Sequence, residues 1–295
     1  MAVSSRARRT AETRPRRANR SGGFMLVDLI YGVPTWVMGV TVVALVVTLA
    51  LVGLLIAHRL LHLDLRRRHN EFAGFNSALV GVFFAVLLAF IAVAAWESFG
   101  KAADTAEKEA SLAGDLWRDA FVMPEPVRTQ LLGDMHDYVE VVLAKEWPAM
   151  ARGAPFGDEG WAPLFKLHQV LTGIQTTDPM RVAMITETLT RLNSLYDARR
   201  QRILAAQDHI EPTVWAVVLL GTFITISFTY FFGMESFRIH LLMTGILAAT
   251  LGLVIVLILA FDYPFRGEVQ VAPDGFRNVQ HNMEAAGIKF AHAAD

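Results

Sequence analysis

Residues 71–120 read EFAGFNSALVGVFFAVLLAFIAVAAW and continue as ESFGKAADTAEKEASLAGDLWRDA. The first part holds 25 consecutive residues without a charge, from Phe72 to Trp96. A helix of about 20 apolar residues crosses the hydrocarbon core of a bilayer. After Glu97 the pattern becomes charged without any proline, while small and apolar residues still recur every three or four positions. The stretch therefore predicts one helix that leaves the membrane and continues into a soluble domain.

The composition of the whole chain agrees with several membrane spans. Its 295 residues are 54% hydrophobic and include no cysteine, and so apolar a composition is unusual for a soluble domain. The absence of cysteine excludes disulfides, thiolate catalysis and cysteine metal ligands. Charge is segregated, because residues 1–20 carry seven arginines and one acid, whereas residues 97–211 carry 18 acids and 12 lysines and arginines. The near-zero net charge of the whole chain therefore says little about binding partners, and partners must be inferred for each segment from its own charge.

The arginine-rich tail, residues 1–24, has almost no apolar side chains and is expected to be disordered. Three interpretations of it remain open. It contacts anionic lipid, at about 1 kcal/mol per charge near the surface. It contacts nucleic acid, which is disfavoured because no aromatic residue is interleaved with the arginines. Or it is not translated at all, because Met25 is itself a plausible start.

The predicted fold is an all-α integral membrane protein with four transmembrane helices and a helical soluble insert between spans two and three. Proline and glycine divide the insert into helices near 127–147, 163–174 and 179–209. The expected organisation is a transmembrane hairpin in 25–96 with spans about 34–57 and 72–96, an insert in 97–211, a second hairpin in 212–261 with spans about 212–234 and 241–261, and a loosely held tail in 262–295.

Four spans place both termini and the insert on one side of the membrane. That side carries the seven N-terminal arginines and six further basic residues near the spans, against five on the other side. The positive-inside rule then predicts that the termini and the insert are cytoplasmic. If translation begins at Met25, the balance falls to six against five and the rule no longer decides.

No motif for catalysis or cofactor binding is present, so we expect neither an enzyme nor a cofactor. Successive acids on an exposed helix face are usually solvated, so we expect no metal at the one cluster that could imitate a site: Asp134, His136, Asp137 and Glu140, with His168. The spans also lack an ionisable residue near mid-membrane, which argues against a proton-coupled transporter but not against a passive pore.

The second span has two unlike faces. One is a ridge of small residues, Gly74, Ala78, Gly81, Ala85, Ala89 and Ala92. The other carries bulky residues, Leu79, Phe83, Leu87 and Phe90. Small ridges allow helices to approach closely in lipid. Tight helix packing is therefore one interpretation of the small face. The alternative interpretation is that one of the two faces lines an apolar pore constriction that gates by dewetting.

Six short segments in order resemble the bacterial bestrophin-like membrane family over roughly residues 25–276. They include residues 66–70, the Phe90–Trp96 exit of span two, residues 146–150, 197–202 and 231–235, and the 262–267 stretch. The matching positions are His69, Asn70, Trp96, Glu97, Glu146, Trp147, Pro148, Arg199, Arg200, Asp262, Pro264, Phe265 and Gly267.

The resemblance implies a homopentameric anion channel in the bacterial inner membrane, with the lipid bilayer and small anions as partners and no nucleic acid. Span two of each subunit would line an apolar neck, for which Leu79, Phe83 and Leu87 are the candidates. Arg266 lies between Phe265 and Gly267 and no acidic run follows, so the resemblance does not extend to calcium gating of the eukaryotic kind. The alternative function is a non-conducting membrane sensor or scaffold whose insert binds a partner.

Overall fold

The computed structural model describes residues 30–60, 66, 70–155 and 157–286, and every regular element among them is helical. The arginine-rich tail, His69 and residues 287–295 lie outside the described residues. Four helices are long and apolar enough to cross a membrane: α1 (Thr35–Leu60), α2 (Asn70–Ala120), α7 (Pro212–Thr229) and α8 (Phe237–Asp262). The predicted fold class, with four spans and a helical insert, is confirmed.

The second span and the first insert helix are a single helix, as predicted. α2 contains 51 residues, which at 1.5 Å per residue makes it about 77 Å long. No proline interrupts it, so the backbone hydrogen bonds continue from the apolar half into the charged half. The buried side chains of its second half belong to the apolar core of the insert. α2 is therefore a continuous mechanical connection between the membrane bundle and the insert.

The membrane bundle is built around α8, which packs against α1, α2 and α7. Close approaches occur where a glycine meets a larger side chain, as at Gly221 beside Phe84 and Gly252 beside Val43. α8 begins at Phe237, earlier than the expected span, because the Ser236 side chain caps its first turn by accepting from the Ile239 amide. The preceding span, α7, ends at Thr229, before the predicted boundary.

The insert contains α3 (Val127–Val141), a π-helical turn (Val142–Glu146), α4 (Trp147–Ala151), α5 (Trp161–Thr172) and α6 (Pro179–Ala205). The predicted start of α6 is present, since the Asp178 carboxylate accepts from the Met180 amide at 3.1 Å. Helices α2, α3, α5 and α6 enclose one apolar core that includes Trp117, Met135 and Leu195.

The C-terminal segment closes this core. Residues Asp274–Ala285 form α9, and Phe265, Phe276 and Met283 are buried among insert side chains. The Trp147 indole donates to the Val271 carbonyl oxygen at 3.2 Å. The expectation of a loosely held tail is therefore wrong for residues 262–286, because this segment supplies apolar side chains that the insert needs for a complete core.

Candidate functional site: the second span and the clamp that holds it

The three candidate neck residues lie on one uncovered face of α2. Leu79, Phe83 and Leu87 are 47%, 70% and 39% exposed. Phe84 and Leu88, each turned about 100° from the residue before it, are buried against the bundle. Large apolar side chains at the surface of a membrane helix contact either lipid or another chain. The single chain thus leaves this face free for one of these two neighbours.

The ridge of small residues is also uncovered over its centre. A methyl group placed on Gly81 would meet no atom within 4 Å, and Ala78, Ala85 and Ala89 are exposed. Close packing inside the protomer therefore does not use this part of the ridge.

At the N-terminal end of α2, which is the end away from the insert, Asn70 forms two hydrogen bonds with the turn between α7 and α8. Its amide nitrogen donates to the Gly233 carbonyl at 3.2 Å, and its amide oxygen accepts from the Gly233 amide at 2.7 Å. Arg66 donates to the neighbouring Tyr230 carbonyl at 3.3 Å. These long-range bonds hold the start of α2 against the second hairpin.

At the insert end, the family-matching residues after α8 join the membrane bundle to the insert. The Asp262 carboxylate accepts from the Ile210 amide at 2.6 Å and from the Trp215 indole at 3.1 Å. Gly267 has φ +80°, and a Cβ there would lie 3.1 Å from the Tyr31 ring, so glycine suits both the backbone and the close approach. The Pro264 carbonyl accepts from the Val271 amide at 2.7 Å.

Aromatic contacts continue this junction in both directions. Phe265 packs edge-on against Trp147 inside the insert, with ring centroids 5.6 Å apart. Trp96, at the membrane exit of α2, packs edge-on against Phe261 at 5.1 Å while most of its surface stays exposed.

A cluster of buried charges, here called the clamp, lies within the insert and consists of Glu109, Tyr138, Glu146, Arg199 and Arg202. Both Arg199 terminal nitrogens donate to Glu146, at 2.8 and 2.6 Å. Arg202 donates to Glu146 at 2.7 Å and twice to Glu109, at 2.6 and 3.0 Å, and the Tyr138 hydroxyl also donates to Glu109. The clamp therefore connects α2, α3, the π-helical turn and α6 through side chains that are fully buried.

The clamp balances two carboxylates with two guanidinium groups, which keeps the charges stable in a buried setting. Burial alone would raise the pKa of Glu146, but the hydrogen bond from Arg199 and the charge of Arg202 hold that pKa below its ordinary value. Ionised Glu146 therefore contributes stability above its unfolded pKa, and this contribution is lost as the pH falls through the lowered folded pKa. Burial and the Glu109 charge raise the pKa of Tyr138 well above its usual range.

Aromatic rings complete the surroundings of both arginines. The Arg199 guanidinium lies 4.6 Å from the centre of the Trp161 ring, and that of Arg202 lies 5.5 Å from the Trp147 ring. Such cation–π contacts stabilise a guanidinium that has lost its water.

Pro148 explains why the chain widens into a π-helical turn beside the clamp. A proline inside a helix lacks an N–H and its ring clashes with the carbonyl four residues earlier. The turn Val142–Glu146 absorbs this defect, and the Trp147 amide bonds to Val142, five residues back. Glu146, the last residue of the turn, is buried in the clamp.

The structure brings together only some of the residues singled out in the sequence. Glu146 meets Arg199, Trp147 meets Phe265, and Asn70 meets Gly233. Arg200 instead points to solvent and pairs with Asp197 three residues away, and Glu97 is exposed with no partner among the described residues.

Sequence reasoning did not assign Glu109, Tyr138 or Arg202 to a site. A signal for Glu109 was present, because it occupies a position in a row with core spacing: Ala102, Ala106, Glu109, Ala113, Leu116 and Ala120. A charge in such a row indicates a buried ion pair.

The acidic cluster on α3 is partly assembled. One ligand atom each from His136, Asp137 and Glu140 lies within 4.8 Å of the others, whereas Asp134 and His168 do not belong to this group. Both acids in the group are exposed, and exposed acidic groups are common without a metal, so we assign no metal to them.

Comparisons with known proteins agree with this arrangement. A solved structure of a bacterial bestrophin homolog from Klebsiella pneumoniae, a point variant, is 12% identical, with 84% of this chain and 99% of that chain covered and a TM-score of 0.62. A second variant of it is 11% identical, with coverages of 82% and 98% and a TM-score of 0.61. A structure described as a membrane protein is 12% identical, with coverages of 82% and 97% and a TM-score of 0.61.

At this identity the solved structures show the shared fold. A comparison with curated proteins gives no match. A family profile described as the Bestrophin-like domain matches residues 44–276. Because that profile spans most of a chain whose helices also have the bestrophin fold, this protein belongs to the Bestrophin-like family of membrane proteins.

Proposed function

We propose that this bestrophin-like membrane protein assembles as a homo-oligomer around an ion-conducting pore that is lined by α2. The observation that carries the proposal is the uncovered apolar face of α2 at Leu79, Phe83 and Leu87. This face belongs to a helix that runs unbroken from the membrane into the insert. Copies of such a face around an axis would form an apolar neck, and apolar necks gate by dewetting.

The family resemblance supports five copies and a small anion as the permeant ion. The 25 uncharged residues from Phe72 to Trp96 provide no acid or base within the membrane to relay protons, so passive conduction fits better than coupled transport. The family resemblance supports an inner-membrane location. The distribution of basic residues, counted with the seven N-terminal arginines, supports a cytoplasmic position of the termini and the insert.

Recording from purified protein in planar bilayers tests the proposal directly. Phe83→Ala should raise the conductance or loosen gating, because it widens the apolar constriction. Phe223→Ala is the matched control, since Phe223 is 65% exposed on α7 and would face lipid. No conductance from any oligomer of the wild-type protein would contradict the channel, and a stable oligomer without current would favour the scaffold function.

Cross-linking gives a second test that does not depend on current. The chain has no cysteine, so Phe83→Cys introduces a unique thiol. Under oxidation it should link subunits within one oligomer, whereas Phe223→Cys should not. Equal behaviour of the two variants would mean that Phe83 does not lie near a shared axis.

A further inference from the structure

Glu97 is the first charged residue that α2 presents after the uncharged span. It follows Leu79 by 18 residues, which is five turns of an α-helix and about 27 Å along its axis. It also follows Phe90 by seven residues, close to two turns. Glu97 therefore lies on the same uncovered face of α2 as the candidate neck, at the insert end of that face.

The two residues that follow Glu97 on α2 contact other parts of the protomer, whereas the Glu97 side chain is exposed. Ser98 donates to Asp208 at 3.4 Å, and Phe99 packs edge-on against Phe261 at 5.3 Å. These contacts set the rotation of α2 at the membrane exit. Glu97 is exposed, and no described residue forms a hydrogen bond or ion pair with its carboxylate, although Lys101 lies one turn further along.

This arrangement contrasts with the two glutamates of the clamp, one on α2 and one on the π-helical turn. Glu109 and Glu146 are fully buried and paired with arginines in the clamp. Their negative charges are neutralised locally and cannot act on a passing ion. The Glu97 carboxylate has no arginine partner, and the exposed Lys101 side chain lies one turn further from the neck, so Glu97 is the charge nearest the neck on this face.

Resting on the proposed function, in which α2 lines the pore, we propose that the Glu97 side chains of the copies form a ring of carboxylates at the insert end of the neck and determine its charge selectivity. Rings of acidic side chains attract cations and oppose anions. The neck itself is uncharged, so this ring is the first fixed charge that an ion meets beyond it. The ring thus limits the preference for anions that the family resemblance implies.

Reversal potentials measured across a sodium chloride gradient test this role. In Glu97→Gln the permeability ratio of chloride to sodium should rise roughly fivefold, which is about 1 kcal/mol at 1.4 kcal/mol per factor of ten. Glu97→Asp should keep the wild-type ratio. The difference between wild type and Glu97→Gln should shrink in about 1 M salt, where the Debye length falls to about 3 Å, and a merely structural effect would not.

Glu211→Gln is the matched control. Glu211 is also exposed and lies at the membrane–insert junction, but it precedes α7 rather than lining α2, so its ratio should equal that of wild type. A conducting wild type whose ratio is unchanged in Glu97→Gln, or changed equally in Glu211→Gln, would overturn the inference and leave the channel intact. A wild type that conducts no ion would instead overturn the proposed function, and this inference with it.

Discussion

Arg199 and Arg200 are adjacent in the sequence but have opposite surroundings. Arg199 is fully buried, with two bonds to Glu146 and a ring contact with Trp161. The Arg200 side chain is 61% exposed and pairs with Asp197 on the same turn. Surface pairs of this kind contribute little, whereas removing one member of a buried pair leaves an uncompensated charge.

Methionine substitution at these two positions should therefore have very different effects. Arg199→Met should lower the free energy of unfolding by about 3–5 kcal/mol, because Glu146 then keeps only Arg202 as a partner. Arg200→Met should cost less than about 1 kcal/mol. Thermal unfolding of the detergent-solubilised protein measures both, and similar melting temperatures for the two variants would show that the clamp does not stabilise the insert.

At the scale of helices, glycine has different roles in two spans. A Cβ on Gly221 of α7 would lie only 2.5 Å from Phe84 Cδ2, and that ring is buried between the helices. A Cβ on Gly81 of α2 would meet nothing within 4 Å. The first glycine permits close packing of α7 on α2, and the second leaves a flat strip on the surface.

Alanine at these two glycines separates the two roles. Gly221→Ala should destabilise the protomer by about 1–3 kcal/mol, because the added methyl group displaces the Phe84 ring. Gly81→Ala should leave the protomer as stable as wild type or slightly more stable, since alanine favours the helix. The melting temperature of the dissociated protomer checks both changes, and an equal loss in Gly81→Ala would contradict the open position of Gly81.

At the scale of the whole molecule, four crossings place the described start of the chain, the insert and α9 on one side of the membrane. The start of the described chain meets the end of α8 and the segment after it on that side. The Thr35 amide donates to Glu268 at 2.8 Å, and the Tyr31 hydroxyl donates to the Leu259 carbonyl of α8 at 2.7 Å. The clamp then fixes the soluble half of α2 to the insert. A movement of the insert would therefore be transmitted along α2 to the uncovered face of its membrane span.

The proposed cytoplasmic position of the insert predicts how a thiol there will react. Asp158→Cys adds a single cysteine at an exposed insert position, and a membrane-impermeant maleimide should label it only after cells are lysed. Glu71→Cys, at the exposed first turn of α2 just before the uncharged run, is the comparison position, because it lies at the opposite end of the span and should be labelled in intact cells. Labelling of Asp158→Cys in intact cells would reverse the proposed orientation.

The sequence by itself determined the elements whose signals are local. The uncharged run 72–96, the absence of proline up to Ala120 and the Asp178–Pro179 cap were enough to predict α2 and the start of α6, because helix formation and membrane insertion depend on neighbouring residues. The four apolar runs likewise predicted four spans. The observed ends at Thr229 and Phe237 differ from the predicted boundaries, because capping and tertiary contacts set where a helix ends.

Only the tertiary structure decided which polar residues are partners. Arg202 meets Glu109 from 93 residues away, and Arg199 meets Glu146 from 53 residues away. Phe276, in a segment of polar composition, is buried in the insert core. Periodicity shows that a side chain lies on a helix face, but which charge that face meets, and whether the pair loses its water, depends on how distant helices pack.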